Sequence, residues 1–526
     1  MHRLRAAGIT LGLVLTAACG STAQISATAP SAGDGTGTGN GLTAPGGGLP
    51  GGATPSTAPG STGTGAGTGT GVGPGAGTGA GTGTGTGGTT PGGTVRPPGG
   101  NPGVSGPGIT ATKIYIGDVE VTNTSAVDVP GVTRGDPEAN VRAVLDDINK
   151  HGGIAGRKVE MVWAQLDSSS AEPVETQWAR ICQKFTQDSP KVFAVLGVGT
   201  EAYRQCIHKA GVVMLSDDLP YGDAAHYAKF PGLIEQGTPN LDRIAAAQVP
   251  SLVAQNYFSP WDSFNGQPAA AGKAKVGILT YDDASFAHAV DKILIPALKR
   301  AGYDPGVNVY RVGQVATASD YGDQAAAVQS AQLQLAANDV THVIPFQSNG
   351  GLSLFFSRNA ENQHYRPRYG INTTAAFEVL VNGSTPLMAK EQARGAVGFG
   401  WVPIFDLSAE RNPDNGPYSS DSRRRCLKVY KDHDISYSDP NAQGIALGYC
   451  NKLFLLRQVL NTTPRLINAT TFVRAIDRVG ATFQAAGGLG SFLAPGRHDS
   501  AYKYHHWRWF DDCECMHYDG PRRTFG

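Results

Sequence analysis

The chain lacks an excess of charge of either sign: its 526 residues hold 43 Lys and Arg against 43 Asp and Glu, a formal net charge of zero. A nucleic-acid surface needs clustered cations to displace phosphate counterions, so this balance argues against one. Long apolar runs are also missing, because the only one near the start, Ala6 to Leu15, is too short to span a bilayer and nothing later reads as a span. Catalytic signatures are absent as well. After residue 108 there is no GxSxG, HExxH or GxxxxGK[ST] pattern. The nearest phosphate-loop match, Gly266 to Gly272-Lys273, has one residue too many between its glycines and Ala274 after the lysine. Gly197-x-Gly199-x-x-Ala202 mimics a dinucleotide fingerprint but has Ala at its third glycine. No enzymatic activity, cofactor or resident metal is therefore expected.

What is present begins with an export leader. Arg3 and Arg5 precede the apolar run, which ends in Thr16-Ala17-Ala18-Cys19, similar to a bacterial lipobox with Leu15 one place early. Residues 1–18 are expected to be removed and Cys19 to carry the lipid, each buried CH2 adding about 0.8 kcal/mol of membrane affinity. Residues 19–108 are then a linker of mostly Gly, Thr, Pro, Ser and Ala, in which Gly75 to Gly88 is nearly alternating glycine. Almost no side chain there can be buried, so nothing offsets an ordering entropy of about 1–2 kcal/mol per residue. A flexible tether of this length has an r.m.s. reach of about 50 Å, enough to hold a folded body clear of a membrane.

From residue 109 the pattern alternates. Lys113 to Val119 reads as a strand, and Glu138 to His151 as a helix with Val141, Val144, Leu145 and Ile148 on one face, stopped by Gly152-Gly153. Further strands are expected at Lys158 to Trp163, Val192 to Leu196, Val212 to Leu215, Val276 to Tyr281, Val307 to Val312, His342 to Phe346 and Ala396 to Val402. Helical stretches, among them Phe286 to Ala301 and Gln324 to Ala337, separate them. The alternation predicts an α/β fold with parallel sheets, and the body is too long for one comfortable core.

Ile148 to Glu160 (INKHGGIAGRKVE), Asp167 and Val195 to Thr200 (VLGVGT) resemble the first lobe of type I periplasmic binding proteins. The closest likeness is to the branched-chain amino acid (Leu/Ile/Val) class of ABC-transporter solute-binding proteins. The resemblance implies two Rossmann-like lobes joined by a hinge of three chain crossings. Lobe one would take 109–238 and 403–490, and lobe two 239–402 and 491–526. A solute would sit between them.

In open α/β sheets the loops at the carboxyl ends of strands line the binding crevice. Those loops hold the candidate ligand residues: Asp118 at the end of the first strand; Thr200 and Glu201; Ser216, Asp217, Asp218 and Tyr221; Tyr281; Phe346 and Gln347; and Asn372. Thr200 ranks first, because it can offer a hydroxyl and a backbone N–H together at a helix start. By the resemblance, Asp217 and Asp218 stand where small residues usually help to hold a carboxylate, and Asn372 stands near the usual acidic position. A free amino acid is then one candidate beside an amide, a polyol or a cationic solute, with the aromatic rings taking apolar or cationic ligand surface.

Seven cysteines less Cys19 leave an even six for an oxidising compartment, with fifteen full pairings formally possible. The resemblance implies Cys182 with Cys206, and Cys426 with Cys450 is expected because they sit on successive helices. Whether Cys513 and Cys515 bridge each other stays open. The segment His505 to His517 carries metal-like side chains, but its spacing matches no known finger, and a final strand with a turn-side cysteine pair is expected there. Taken together, these readings describe a monomeric, lipid-anchored protein on the outer face of a bacterial cell membrane. It would capture a small polar solute and deliver it to an ABC permease. A lipoprotein that presents its ligand state to a membrane receptor or cell-wall machinery is the alternative.

Overall fold

A computed structural model describes residues 106–526, apart from 124–134, 218–220, 315–319, 384, 438 and 464–465 and the side chains of 320 and 321. The leader, Cys19, the tether up to residue 105 and Asp218 lie outside the described residues. Gly106–Gly108, read above as the last of the tether, belong instead to the folded body. Tyr115 N donates to Gly108 O at 2.9 Å, and Ile109 N to Gly106 O at 3.3 Å. Gly108 has φ +70°, and a Cβ there would lie 2.2 Å from Phe193 N, so only glycine lets the chain pass this close to its neighbour.

The first run comprises β1 (Lys113–Thr122), α1 (Pro137–Lys150), β2 (Lys158–Asp167), α2 (Val174–Thr186), β3 (Ala194–Leu196), α3 (Glu201–Lys209), β4 (Val213–Ser216), α4 (Ala224–Lys229) and β5 (Leu233–Glu235). Its strands make one parallel sheet in the order β2-β1-β3-β4-β5. After α5 (Leu241–Ala254) comes a small ladder of β6 (Trp261–Asp262) and β7 (Gln267–Pro268). The second run is β8 (Val276–Tyr281), α6 (Ala284–His288), α7 (Ile295–Arg300), β9 (Val309–Val312), α8 (Asp320–Ala337), β10 (His342–Phe346), α9 (Gly351–Asn362), β11 (Arg368–Asn372), α10 (Phe377–Asn382), α11 (Lys390–Ala393) and β12 (Val397–Gly400). Helices α12 (Pro403–Asp406), α13 (Asp421–Lys431), α14 (Pro440–Thr462) and α15 (Ala469–Ile476) follow, and the chain closes with the hairpin β13 (Lys503–Phe510) and β14 (Cys515–Thr524). The second sheet runs β14-β13-β12-β11-β10-β8-β9, parallel from β12 to β9 and antiparallel at β13 and β14.

Local chemistry explains the elements. Asp136 caps α1, accepting from Ala139 N, Pro137 opens it, and Val141, Val144, Leu145 and Ile148 are buried on one face. The single helix expected over Phe286 to Ala301 is interrupted: a π-helical turn, Ala289–Leu294, separates α6 from α7. Pro296 has no N–H for the usual bond one turn back, which accounts for the break. The strand expected over Ala396 to Val402 is only Val397–Gly400.

Helix α14 is buried on nearly all sides and packs against α1, α12, α13 and α15. It shares a core with β1, β3, β4 and β5, so the chain returns to the first sheet after building most of the second. The second sheet has its own core, which takes in residues of α5 and of the closing hairpin. Disulfides join α2 to α3 through Cys182–Cys206 and α13 to α14 through Cys426–Cys450. A third, Cys513–Cys515, closes within the β13–β14 turn and answers the question the sequence left open. Among the described residues, no helix is long and apolar enough to cross a membrane.

Candidate functional site

The chain passes between the two sheets three times: after β5 through Gln236–Asn240, after β12 through Trp401–Val402, and before β13 through Leu489–Tyr502. The first two crossings leave the carboxyl ends of parallel strands. Both sheets therefore turn those ends, with their loops, towards the crossings.

Hydrogen bonds lock the first and third crossings together. Glu235 N donates to His498 O and Ser500 N to Glu235 O, both at 2.8 Å, and Ser500 Oγ donates to Gln236 O at 2.6 Å. The buried Asp499 accepts from Asn240 N at 2.9 Å and lies 3.3 Å from Arg243 Nε. Burial raises its pKa, with Arg243 opposing. Asp406 anchors the second crossing: its Oδ2 accepts from Val402 N (2.9 Å), Thr373 Oγ1 (3.0 Å) and Tyr518 OH (2.5 Å), while its backbone oxygen accepts from Trp507 Nε1 at 2.7 Å. Burial pushes the Asp406 carboxyl up to about 7 despite these donors.

At the strand ends of the first sheet, Asp118 is buried and accepts from Val119 N at 2.9 Å. Burial raises its pKa to about 7, and the positive charge of Lys452 opposes the rise. Ser216 is fully buried at the end of β4. Asp217 is buried beside it and accepts from Asn451 Nδ2 at 2.9 Å. Gly237, in the first crossing, passes so near that a Cβ there would lie 2.0 Å from Asp217 Oδ1. Thr200 caps α3, donating from Oγ1 to Glu175 Oε2 at 2.8 Å and accepting from Tyr203 N at 3.4 Å. Glu201 is half-buried. Burial raises its pKa, but Lys229 at 2.5 Å, Gln205 and Arg204 outweigh that and leave it below the ordinary value. The guanidinium of Arg204 lies 5.0 Å from the centre of the Tyr221 ring.

At the strand ends of the second sheet, Tyr281 is buried and its OH donates to Asn349 Oδ1 at 2.8 Å. Phe346 lies in the core, edge-on to Phe286. Gln347 caps α9: its Oε1 accepts from Leu352 N at 2.9 Å, and its Nε2 donates to Ser353 Oγ. Asn372 donates to Gln248 Oε1 at 3.0 Å and accepts from Thr374 N and Oγ1. The two halves also touch at the rim. His288 Nδ1, at the end of α6, lies 3.1 Å from Asp242 Oδ1 and 3.5 Å from Asp223 Oδ2, and Leu241 N donates to Gly222 O at 3.0 Å.

Two contributors escaped the sequence reading, Asn451 and Lys452 on α14. Asn451 ties Asp217 to Ala486, its Oδ1 accepting from Ala486 N, and the buried Lys452 faces Asp118 with Nζ 4.6 Å from the Tyr449 ring centre. A signal existed: these are two adjacent polar residues inside an otherwise apolar helical run, Ile445 to Leu456. Their partners lie more than two hundred residues earlier.

No family model matches the chain, and no curated protein does. Solved structures do. A possible leucine/isoleucine/valine-binding protein from Rhodopirellula baltica SH 1 superposes with a TM-score of 0.51 at 16% identity, over 78% of this chain and 96% of that one. The solute binding protein of an ABC transporter from Rhodopseudomonas palustris HaA2, solved with p-hydroxybenzoic acid, gives a TM-score of 0.52 at 13% identity, over 78% and 97%. An extracellular ligand-binding receptor from the same organism gives 0.50 at 14%, over 77% and 99%. The mixed α/β body, with two largely parallel sheets joined by three crossings, thus has the type I periplasmic binding protein fold.

Proposed function

We propose that this protein is an extracytoplasmic solute-binding lipoprotein, held to the membrane through Cys19, which captures a small polar molecule between its lobes and passes it to an ABC permease. The observation that carries the reading is that the carboxyl ends of both sheets meet at three hinge crossings. That arrangement lets one body open and close around a guest. Lobe one is assigned to 109–238 and 403–490, lobe two to 239–402 and 491–526. Thr200, Glu201, Asp217 and Tyr221 would meet the ligand from lobe one. Asp118, Ser216, Tyr281, Phe346, Gln347 and Asn372, more deeply buried than Asp217, would shape the site from behind. Asp218 would add a second carboxylate beside Asp217.

One neighbour of this fold is a possible leucine/isoleucine/valine-binding protein and another was solved with p-hydroxybenzoic acid, so the ligand is set by side chains and not by the fold. The test is a thermal-shift screen of the mature chain against amino acids, amides, polyols, polyamines and aromatic acids. A true ligand at a hundredfold excess over Kd stabilises by about 2.7 kcal/mol. A hit that is consumed during the assay contradicts the binding-protein reading, as does a hit whose affinity ignores every one of the four contact residues.

A further inference from the structure

The third disulfide differs from the other two in ring size and in where it sits in the fold. Cys182–Cys206 and Cys426–Cys450 each join two helices across a sequence separation of 24; Cys182, Cys426 and Cys450 are fully buried and Cys206 is half-buried on α3. Cys513–Cys515 has a separation of 2 and sits in the turn of the terminal hairpin, with Cys513 half-buried between the exposed Asp512 and Glu514. It holds nothing together that is not held otherwise. The strands on either side are paired from Phe510↔Cys515 and Trp509↔Met516 onward, and Met516 N donates to Glu378 Oε2 at 2.7 Å. Within the ring Glu514 stands at φ +47°, in the left-handed region, and is held by Asn382 Nδ2 at its backbone oxygen and Lys390 Nζ at its carboxylate. Opening the bond leaves the ladder in place.

We propose that Cys513–Cys515 is a thiol–disulfide exchange site that oxidises a dithiol. A thiolate of the dithiol attacks the more accessible Cys513 Sγ, the protein's S–S bond breaks, and Cys515 leaves as a thiolate that takes a proton from water. The second thiolate of the dithiol then attacks its own sulfur in the mixed disulfide and releases Cys513, which is protonated in turn. Two electrons pass from the dithiol to the protein, leaving an oxidised dithiol and a reduced Cys513/Cys515 pair. Asp511, Asp512 and Glu514 face the site against Lys390, 2.6 Å from Glu514, and Arg394, 3.5 Å from Asp511. This excess of carboxylates favours an uncharged dithiol or one on a neutral protein surface over an anionic monothiol.

The test uses the full oxidised chain. It is exposed separately to dithiothreitol, to reduced thioredoxin and to glutathione, quenched by alkylation and mapped by mass spectrometry. Cys513 and Cys515 are expected to be labelled about tenfold faster than the other four cysteines, with glutathione the slowest reagent. Opening by dithiothreitol alone identifies small dithiols as the substrate, and opening by thioredoxin as well identifies protein dithiols. Simultaneous reduction of all three bridges, or earlier reduction of Cys182–Cys206, overturns the proposal. The order of attack is read from single variants: Cys515→Ser should form a mixed disulfide with an aromatic disulfide reagent faster than Cys513→Ser does, and the reverse order refutes the assignment of the attacked sulfur.

Discussion

Replacing Asp406 by Asn tests the account of the hinge. The three donors at Asp406 converge on one oxygen, Oδ2, while Oδ1 has no hydrogen-bond partner. An amide can present its oxygen to the same three donors and put its NH2 where the unpartnered oxygen was, so the geometry survives and only the charge is lost. In the folded chain the carboxyl holds its proton up to a pKa of about 7, against 3.8 when unperturbed. The folded state thus binds the extra proton. Its stability is greatest below the unfolded pKa and falls as pH rises through the folded one. At about 1.4 kcal/mol per unit, this one group removes about 2–3 kcal/mol of stability between pH 5 and pH 8. Asp118 and Asp499 are also raised and act in the same direction, but they are common to both chains and cancel in the difference. Urea unfolding of wild type and Asp406→Asn at both pH values should therefore show the variant gaining about 2–3 kcal/mol relative to wild type on going to pH 8. Parallel pH profiles would refute a protonated Asp406 in the native hinge. Asp406→Ala, which leaves Thr373 and Tyr518 without their acceptor, should lose stability at both pH values.

Other outcomes follow from the same contacts. Asn451→Ala removes the link between Asp217 and Ala486 and should cost about 2 kcal/mol in denaturant unfolding. Loss of Cys182–Cys206, which closes a long loop, should cost about 3–4 kcal/mol, against about 1 kcal/mol for loss of Cys513–Cys515, with thermal unfolding as the measure. Once a ligand is known, Thr200→Ala and Asp217→Asn should each weaken it by about tenfold in titration calorimetry, and unchanged affinity in both would displace the proposed site. His288→Ala removes the rim contacts to Asp223 and Asp242 and should speed ligand release in stopped-flow without altering the unliganded fold.

The alternating architecture was legible because strand and helix periods are local. Runs such as Val276 to Tyr281, and the Val141, Val144, Leu145 and Ile148 face of α1, need no distant partner to declare themselves. The break in the helix after His288 was less legible, since Pro296 is tolerated at a helix start and sequence alone cannot say that a new helix starts there. The strand-end loops could likewise be found from the fold, but the state of each side chain could not. Thr200 and Gln347 are engaged as helix caps, and Phe346 lies in the core.

By itself, the amino-acid sequence determined the α/β class and the polar residues at strand ends, while a family resemblance implied Cys182–Cys206, and Cys426–Cys450 was only expected. Tertiary structure alone decided that α14 returns to the first sheet to set Lys452 against Asp118 and Asn451 against Asp217, that Asp406 stays buried between two halves, and that the last two cysteines close on each other. The division has a physical cause. Periodicity and capping act over a few residues, whereas burial and the fields that shift a carboxyl depend on which distant segments pack around it.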